Sequence, residues 1–189
     1  MKFDFPQVDL PCEILAWNDV TEDILNIYKQ SCRLKAGIFA ICTEGKMTAT
    51  INLIDYEIKP NDLITLLPGT IIQFRERTEI VRLCFAGFSS ECVERINLIK
   101  SMVSSFSKIT ECPIVELQEY ISSYLIDYFS LLARVTCDEK LSLPSEMTEV
   151  SLRSILTAVG LIYQRYSSNN HNTNLKEEIF RELVGLVTE

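Results

Sequence analysis

Short apolar segments bounded by turn residues fill the first half of the chain. In YEIKPNDLITLLPG, residues 56–69, β-branched and aromatic residues lie on both sides of a proline turn. Pro60 presets φ for that turn, and Asn61 and Asp62 tolerate tight or left-handed backbone. The pair Pro68–Gly69 then ends the second apolar run. This stretch therefore predicts two strands, each closed by a tight turn.

Similar segments recur between about residues 12 and 89. The predicted strands are CEILAW, ILNIYKQ (residues 24–30), AGIFAICTEG, KMTATINL, IDYEIKP, DLITLLP, TIIQFRER and EIVRLCFAGF. Several short strands separated by turn signals are typical of an all-β sandwich or barrel.

After Ser89 the apolar residues recur with the period of helices. A short helix is predicted near residues 89–104, with Ser89 or Ser90 as its N-cap. Two longer helices follow Pro113, and the second begins near Ser145. Their apolar seams comprise Leu117, Ile121, Tyr124, Tyr128, Leu131 and Val135, then Leu152, Ile155, Val159, Ile162 and Tyr166. Two such helices joined by a proline-containing loop predict an antiparallel hairpin.

These patterns divide the chain into four parts. Residues 1–110 form a β-rich domain, and residues 111–167 form the helical hairpin. The polar segment SSNNHNTN predicts a linker over 168–174. Residues 175–189 begin another amphipathic helix, which we expect to belong to a further domain.

Composition narrows the function classes. A net charge of −8 disfavours a duplex-binding surface, because such surfaces need clustered Lys and Arg. The seven cysteines include no C-x-x-C pair and are expected to be reduced thiols in a reducing compartment. With no apolar leader and no run of about 20 apolar residues, the sequence predicts a cytoplasmic protein with no membrane partner.

Catalytic groupings are lacking in the sequence. Its only histidine, His171, lies in the predicted linker, whereas metal sites and acid–base pairs on such barrels draw on histidines within the strands. Neither a Gly-rich phosphate loop nor a G-x-S-x-G elbow occurs. We therefore expect no catalytic residue, no bound metal and no cofactor.

A few strand residues are candidates for a small-molecule site. Arg82 has apolar neighbours on both sides in the sequence. Its side chain either points into the barrel toward a polar ligand or is exposed to solvent on the outside of the strand. Trp17, Tyr56 and Phe74 either wall a cavity or belong to the ordinary core. Cys84, on an apolar strand, is the fifth candidate and otherwise has the setting of a core thiol.

The helices carry more apolar residues than one internal seam requires. These additional apolar residues are either buried within the chain or contact a second copy of it. We expect the second arrangement, a homodimer with a two-fold interface. The candidate interface comprises Leu117, Ile121, Tyr124, Tyr128, Leu152, Ile155 and Val159.

The segment GKMTATINLIDYEIKPNDLITLLPGTIIQF resembles the small cupin barrel of AraC-type transcription regulators. The matching residues are Gly45, Tyr56, Ile58, Pro60, Asp62 and Pro68–Gly69. The similarity covers roughly residues 36–88, the helices extend it to about 166, and EEIFRELVGLV resembles the first helix of the family's DNA-binding domain. Asn61 replaces the family's usual glycine, and the histidine pair and glutamate of metal-binding cupin enzymes are absent.

The resemblance implies an α+β fold, in which a cupin-like jelly-roll β-barrel precedes the helical hairpin. It implies a sensor and dimerisation domain whose pocket-lining strands lie around Phe74 and Arg82–Cys84. It also implies a small-molecule effector, with a sugar as one candidate, and DNA contacts made only by a domain after Glu189. The alternatives are a freestanding metal-free cupin enzyme, a sugar-binding protein, and a barrel that serves only to dimerise.

Overall fold

The structure, a computed structural model, describes residues 5–19, 26, 28–96, 103–137 and 144–187. The strands in this part of the chain are β1 (Gln7–Val8), β2 (Ile14–Trp17), β3 (Cys32–Leu34), β4 (Gly37–Glu44), β5 (Met47–Ile51), β6 (Ile54–Ile58), β7 (Asp62–Leu66), β8 (Ile71–Arg77), β9 (Arg82–Phe88) and β10 (Ile114–Glu116). The helices are α1 (Ser90–Arg95), α2 (Val103–Glu111), α3 (Glu119–Cys137) and α4 (Ser145–Val187).

The strands form two five-stranded sheets. The order is β1-β3-β8-β5-β6 in the first sheet and β10-β7-β4-β9-β2 in the second. All neighbours pair antiparallel except β1 and β3, which are parallel. From β6 onward the chain passes from one sheet to the other at each turn until β9. The predicted α+β class with a β-rich part is confirmed.

The proline turn between β6 and β7 carries the chain from the first sheet to the second. Asn61 takes the left-handed conformation with φ 71°. The Lys59 amide donates to the Asp62 carboxylate over 2.8 Å, which closes the turn. After β7, Gly69 has φ 92°, which glycine adopts without steric cost. Turn chemistry in the sequence thus agrees with the local structure.

The second sheet is the middle layer of the molecule. On β4, Ile38 and Ala40 pack in a core shared with the first sheet, whereas Phe39 and Ile41 pack in a second core shared with the helices. Side chains alternate between the two faces of a strand, so one strand serves both cores. This explains why β4, β7 and β9 are buried over most of their length.

The helices cover the outer face of the second sheet. Ser89 caps α1, because its hydroxyl accepts from the Cys92 amide as predicted for an N-cap. Helix α3 packs on β2, β9 and β4, and α4 packs on α2. The buried Tyr163 hydroxyl of α4 donates to the Cys112 carbonyl over 2.9 Å, which ties this helix to the strand β10 region.

An arginine joins α1 to both the sheet and α4. Arg95 donates through Nη1 and Nη2 to both oxygens of Glu13, over 3.0 and 2.8 Å. It also donates to Glu149 on α4 over 3.2 Å and to Glu91 over 3.3 Å. The three carboxylates come from distant parts of the sequence, so this ion pair network fixes their relative positions.

The elements agree with most of the sequence predictions. Of the strand predicted over 24–30, residues 24, 25 and 27 lie outside the described residues, and Tyr28–Lys29 forms a turn. Of the helix predicted near 89–104, the structure has α1 at Ser90–Arg95 and the first residues of α2 from Val103, and residues 97–102 lie outside the described residues. Helix α4 continues through 168–174, and the domain division predicted there stays a prediction.

The cysteines described are free thiols, five of them buried or half-buried. Burial raises the pKa of Cys42, Cys84 and Cys92 to about 11, so these three are protonated at neutral pH. No helix in the described part of the chain combines the length and apolar content needed to cross a membrane.

Candidate ligand-binding cavity

A cavity of about 230 Å³ lies between the two sheets. The second sheet contributes apolar side chains that point toward the first sheet: Ile38, Ala40, Ile64, Leu66, Leu83 and Phe85. They belong to β4, β7 and β9, so the wall is built on three neighbouring strands of one sheet. The position of the wall therefore follows from strand alternation.

The first sheet and the chain before it supply an aromatic side of the cavity. Phe74 on β8 meets Tyr28 edge to face, with ring centroids 5.6 Å apart and planes at 71°. The Phe74 amide donates to the Tyr28 carbonyl over 2.8 Å, which holds the two residues together. Burial raises the pKa of the Tyr28 hydroxyl, and the nearby Cys32 thiol adds to this effect.

Residues 5–11, called here the N-terminal segment, form another side of the cavity. The Arg33 and Lys35 amides donate to the carbonyls of Pro6 and Val8, both over 2.8 Å, which docks the segment beside β3. A Cβ on Gly87 would lie only 2.8 Å from the Leu10 side chain, so the glycine leaves room for Leu10 at the cavity wall. The segment thus covers the cavity through both backbone bonds and apolar contact.

Asp9 fixes the N-terminal segment to the start of α1. Its Oδ1 accepts from the Ser90 amide over 3.0 Å, and its Oδ2 accepts from the Ser90 hydroxyl over 2.5 Å. Burial by itself would raise the pKa of Asp9, but the hydrogen bonds from Ser90 and Leu10 outweigh it and hold that pKa below its usual value. The carboxylate is therefore ionised and occupied at neutral pH.

The five predicted ligand residues are not brought together. Phe74 lines the cavity, and the half-buried Tyr56 packs against the same core between the sheets. Trp17, at the end of β2, is 40% exposed. Tyr28, which was not among the five, joins Phe74 on the aromatic side of the cavity.

Arg82 and Cys84 lie on β9 but outside the cavity. Arg82 is exposed and pairs with Asp19 over 2.8 Å and with Glu44 over 3.0 Å, so of the two alternatives the structure has the exposed charge. Cys84 is buried in the core beneath the helices, on the opposite face of the sheet from Phe85. Its thiol lies near the Ile126 carbonyl of α3.

A second depression, a groove of about 800 Å³, lies between α3 and α4. Its exposed apolar lining includes Tyr120, Tyr124 and Leu161, which are 67%, 68% and 52% exposed. Arg165 and Glu116 supply charge at the groove. The groove therefore offers an open apolar surface on the helical side of the molecule.

Most of the predicted interface seam lies beneath this surface. Leu117, Leu152, Ile155 and Val159 are buried in the chain's own core, and Ile121 and Tyr128 are partly buried against it. Tyr124 alone of the seven is strongly exposed. Among the described side chains of α3 and α4, the large apolar ones with exposed surface are Tyr120, Tyr124, Leu131, Met147, Val150 and Leu161.

Sequence reasoning missed the N-terminal segment and Tyr28 as parts of the cavity. The segment QVDLP lacks a strand-like apolar run, and its parallel pairing with β3 depends on residues more than twenty positions away. The sequence QVDLP by itself contains no pattern that would identify it as a cavity wall. In the described part of the chain no three His, Cys, Asp or Glu residues are grouped to hold a metal ion.

The similarity of this chain to solved structures is weak in the comparison described here. No family model and no curated protein matches this chain. A solved structure titled "Crystal structure of the AraC-like transcriptional activator CuxR" is similar with a TM-score of 0.39 and 9% sequence identity, covering 77% of this chain. The chain spans about half, 47%, of that structure's length. A TM-score of 0.39 is a weak likeness, and it establishes no family.

Proposed function

We propose that this chain is the ligand-sensing and dimerisation part of an AraC-type transcription regulator. The cavity between the sheets carries the proposal, because an apolar hollow with a few convergent groups is the usual form of a small-molecule site. The sequence resemblance over residues 36–88 supports the family. In this proposal the two sheets are a cupin-like jelly-roll barrel, and α3 and α4 are its helical hairpin.

The proposed role is binding without chemical conversion. Among the described residues that line the cavity, Asp9 is the one carboxylate, and Ser90 already occupies both of its oxygens. A general acid or base must reach the atom whose proton it transfers, which an occupied carboxylate at the rim does not do. This supports a container for an effector in a cytoplasmic regulator.

Self-association is assigned to the exposed face of α3 and α4. Tyr120, Tyr124 and Leu161 present apolar surface in one groove, whereas the seam beneath them is covered by this chain. A second copy placed by a two-fold axis would bury the same patch on both partners. The DNA contacts are proposed to lie outside residues 1–189, which carry a net charge of −8.

Sedimentation equilibrium tests the interface, with two matched Leu→Glu variants. We expect the native chain to be a dimer at micromolar concentrations, and Leu161→Glu to weaken it at least about tenfold, or roughly 1.4 kcal/mol. Leu53→Glu is the control, because Leu53 is 74% exposed on the β5–β6 turn, away from the helices. A strictly monomeric native chain, or equal effects of both variants, would contradict this interface.

Selection from a pool of random duplexes tests the placement of the DNA contacts. Residues 1–189 are expected to enrich no sequence at moderate salt. Enrichment of a specific duplex by this chain alone would contradict the proposal.

A further inference from the structure

We infer that the cavity between the sheets takes a compact, neutral, apolar molecule rather than a sugar or an organic acid. This inference rests on the proposed sensing function and names the ligand class of its site. It follows from the chemistry of the wall, from the charges available there, and from the volume of the cavity.

The wall offers a ligand few hydrogen bonds. Side chains such as Ala40, Leu66 and Phe85 have no polar atoms, and the strands that carry them use their main-chain groups in the sheet ladders. A hydroxyl placed in a hydrophobic pocket without a partner costs up to about 100-fold in affinity. A sugar carries several hydroxyls, so this cavity would strip their hydration without replacing it.

The charges at the wall also bear on the class of ligand. Among the described residues that line the cavity there is no Lys, Arg or His. The one charged group is Asp9, whose carboxylate accepts from Ser90 and would repel a second carboxylate. A buried anion needs a paired cation or several donors, so an organic acid lacks its counterpart here.

Volume and aromatic lining set the remaining features of the ligand. An apolar cavity of about 150 Å³ in another protein holds benzene, so one of about 230 Å³ has room for roughly ten non-hydrogen atoms. Tyr28, Phe74 and Phe85 present aromatic rings around this space. A ligand with a single ring or a short branched chain fits both observations.

Three ligands that differ in one substituent test the inference. The titrations use p-xylene, p-cresol and p-toluate, with glucose as the sugar, and follow chemical shifts of the Ala40 and Phe85 amides in the whole chain. We expect saturable binding of p-xylene, up to about 100-fold weaker binding of p-cresol, and none of p-toluate or glucose.

A variant that fills the cavity shows where binding occurs. Ala40→Leu places three more carbons in the cavity and is expected to abolish p-xylene binding, while Ala158→Leu, in the helical groove, leaves it unchanged. Circular dichroism checks that both variants fold, and Ile72→Phe replaces Ala40→Leu if that variant does not. Binding of p-xylene that survives filling of the cavity would overturn the inference.

The outcomes separate this inference from the proposed function. Cavity-dependent binding of glucose or p-toluate in preference to p-xylene would overturn the apolar ligand class and leave ligand sensing in place. If none of the four compounds binds, both the ligand class and the sensing role fail.

Discussion

The bond between Asp9 and Ser90 is expected to decide how firmly the N-terminal segment covers the cavity. Asp9→Ala removes the acceptors of the Ser90 amide and hydroxyl. The bonds from Arg33 and Lys35 to the segment remain, as does the packing of Leu10. The variant therefore loosens the segment without removing its other attachments.

The magnitude follows from the two lost hydrogen bonds. A hydrogen bond to a charged group contributes about 1.5–3 kcal/mol when protected from water. Asp9 is exposed, so we expect the two bonds together to stabilise the docked segment by only about 1–2 kcal/mol. That corresponds to an increase of about 5–30-fold in the open population of the segment.

Native-state hydrogen exchange measures this change at one amide. The Lys35 amide donates to the Val8 carbonyl and becomes free when the segment leaves. We expect it to exchange about 5–30-fold faster in Asp9→Ala, while the Ile41 amide in the central strand β4 is unchanged. Asp9→Asn keeps an oxygen that can accept from the Ser90 amide, so it should accelerate exchange of the Lys35 amide less than Asp9→Ala does. Equal acceleration at Lys35 and Ile41, or none, would refute the reasoning.

Lowering the pH should loosen the N-terminal segment in the same way as Asp9→Ala. The pKa of Asp9 is lower in the folded chain than its ordinary value of 3.8, because hydrogen bonds to the carboxylate outweigh its burial. A lowered folded pKa means that the ionised form stabilises the docked segment above the ordinary pKa. This contribution is lost as the pH falls from about 3.8 through the folded pKa, so the protection of Lys35 relative to Ile41 should fall there.

Substitutions at four further positions test the ion pairs and the backbone conformation by urea unfolding. Arg95→Met leaves three carboxylates without their shared cation and should lower the free energy of unfolding, more at low salt, with Arg95→Lys recovering part of the loss. Leu53→Gly should stabilise it by about 1 kcal/mol, because the exposed Leu53 has φ 71°. Gly45→Ala should cost several times more than Gly69→Ala, since both have positive φ but a Cβ on Gly45 would lie 1.9 Å from the Ile80 carbonyl oxygen. Equal losses for the two glycines would contradict the steric argument.

Strands β4 to β9 were predictable because their signals are local. Alternation and turn residues lie within each segment, as in the turn between β6 and β7 that Asn61 and Asp62 form. Strands β1, β3 and β10 have two or three residues each and exist through pairing with distant strands, for example β10 with β7. A segment that short carries too few residues to show a period.

The sequence predicted that β9 is a strand, but it did not predict which of its side chains point toward the cavity. A strand covered on one side alternates apolar and polar residues, but β9 is covered by the first sheet on one face and by helices on the other. Its run from Leu83 to Phe88 is therefore apolar throughout, apart from a glycine. Alternation alone could not say whether Cys84 or Phe85 faces the cavity, and that choice depends on which layer covers which face.

The second sheet lies between the cavity and the helices, the two parts of the molecule on which the proposed function depends. Ala40 faces the cavity, and its neighbours Phe39 and Ile41 face the core beneath α3. A molecule in the cavity and a partner on the helices would thus act on opposite faces of the same strand. Contact through one sheet is not by itself coupling, because a ligand shifts an equilibrium only if it binds one state better than the other. The N-terminal segment borders the cavity and is also held to α1 through Asp9, so its undocking would change the contacts of the cavity directly. In the proposed function, a ligand that binds better when this segment is docked would favour the docked state, which the hydrogen bonds between Asp9 and Ser90 also favour.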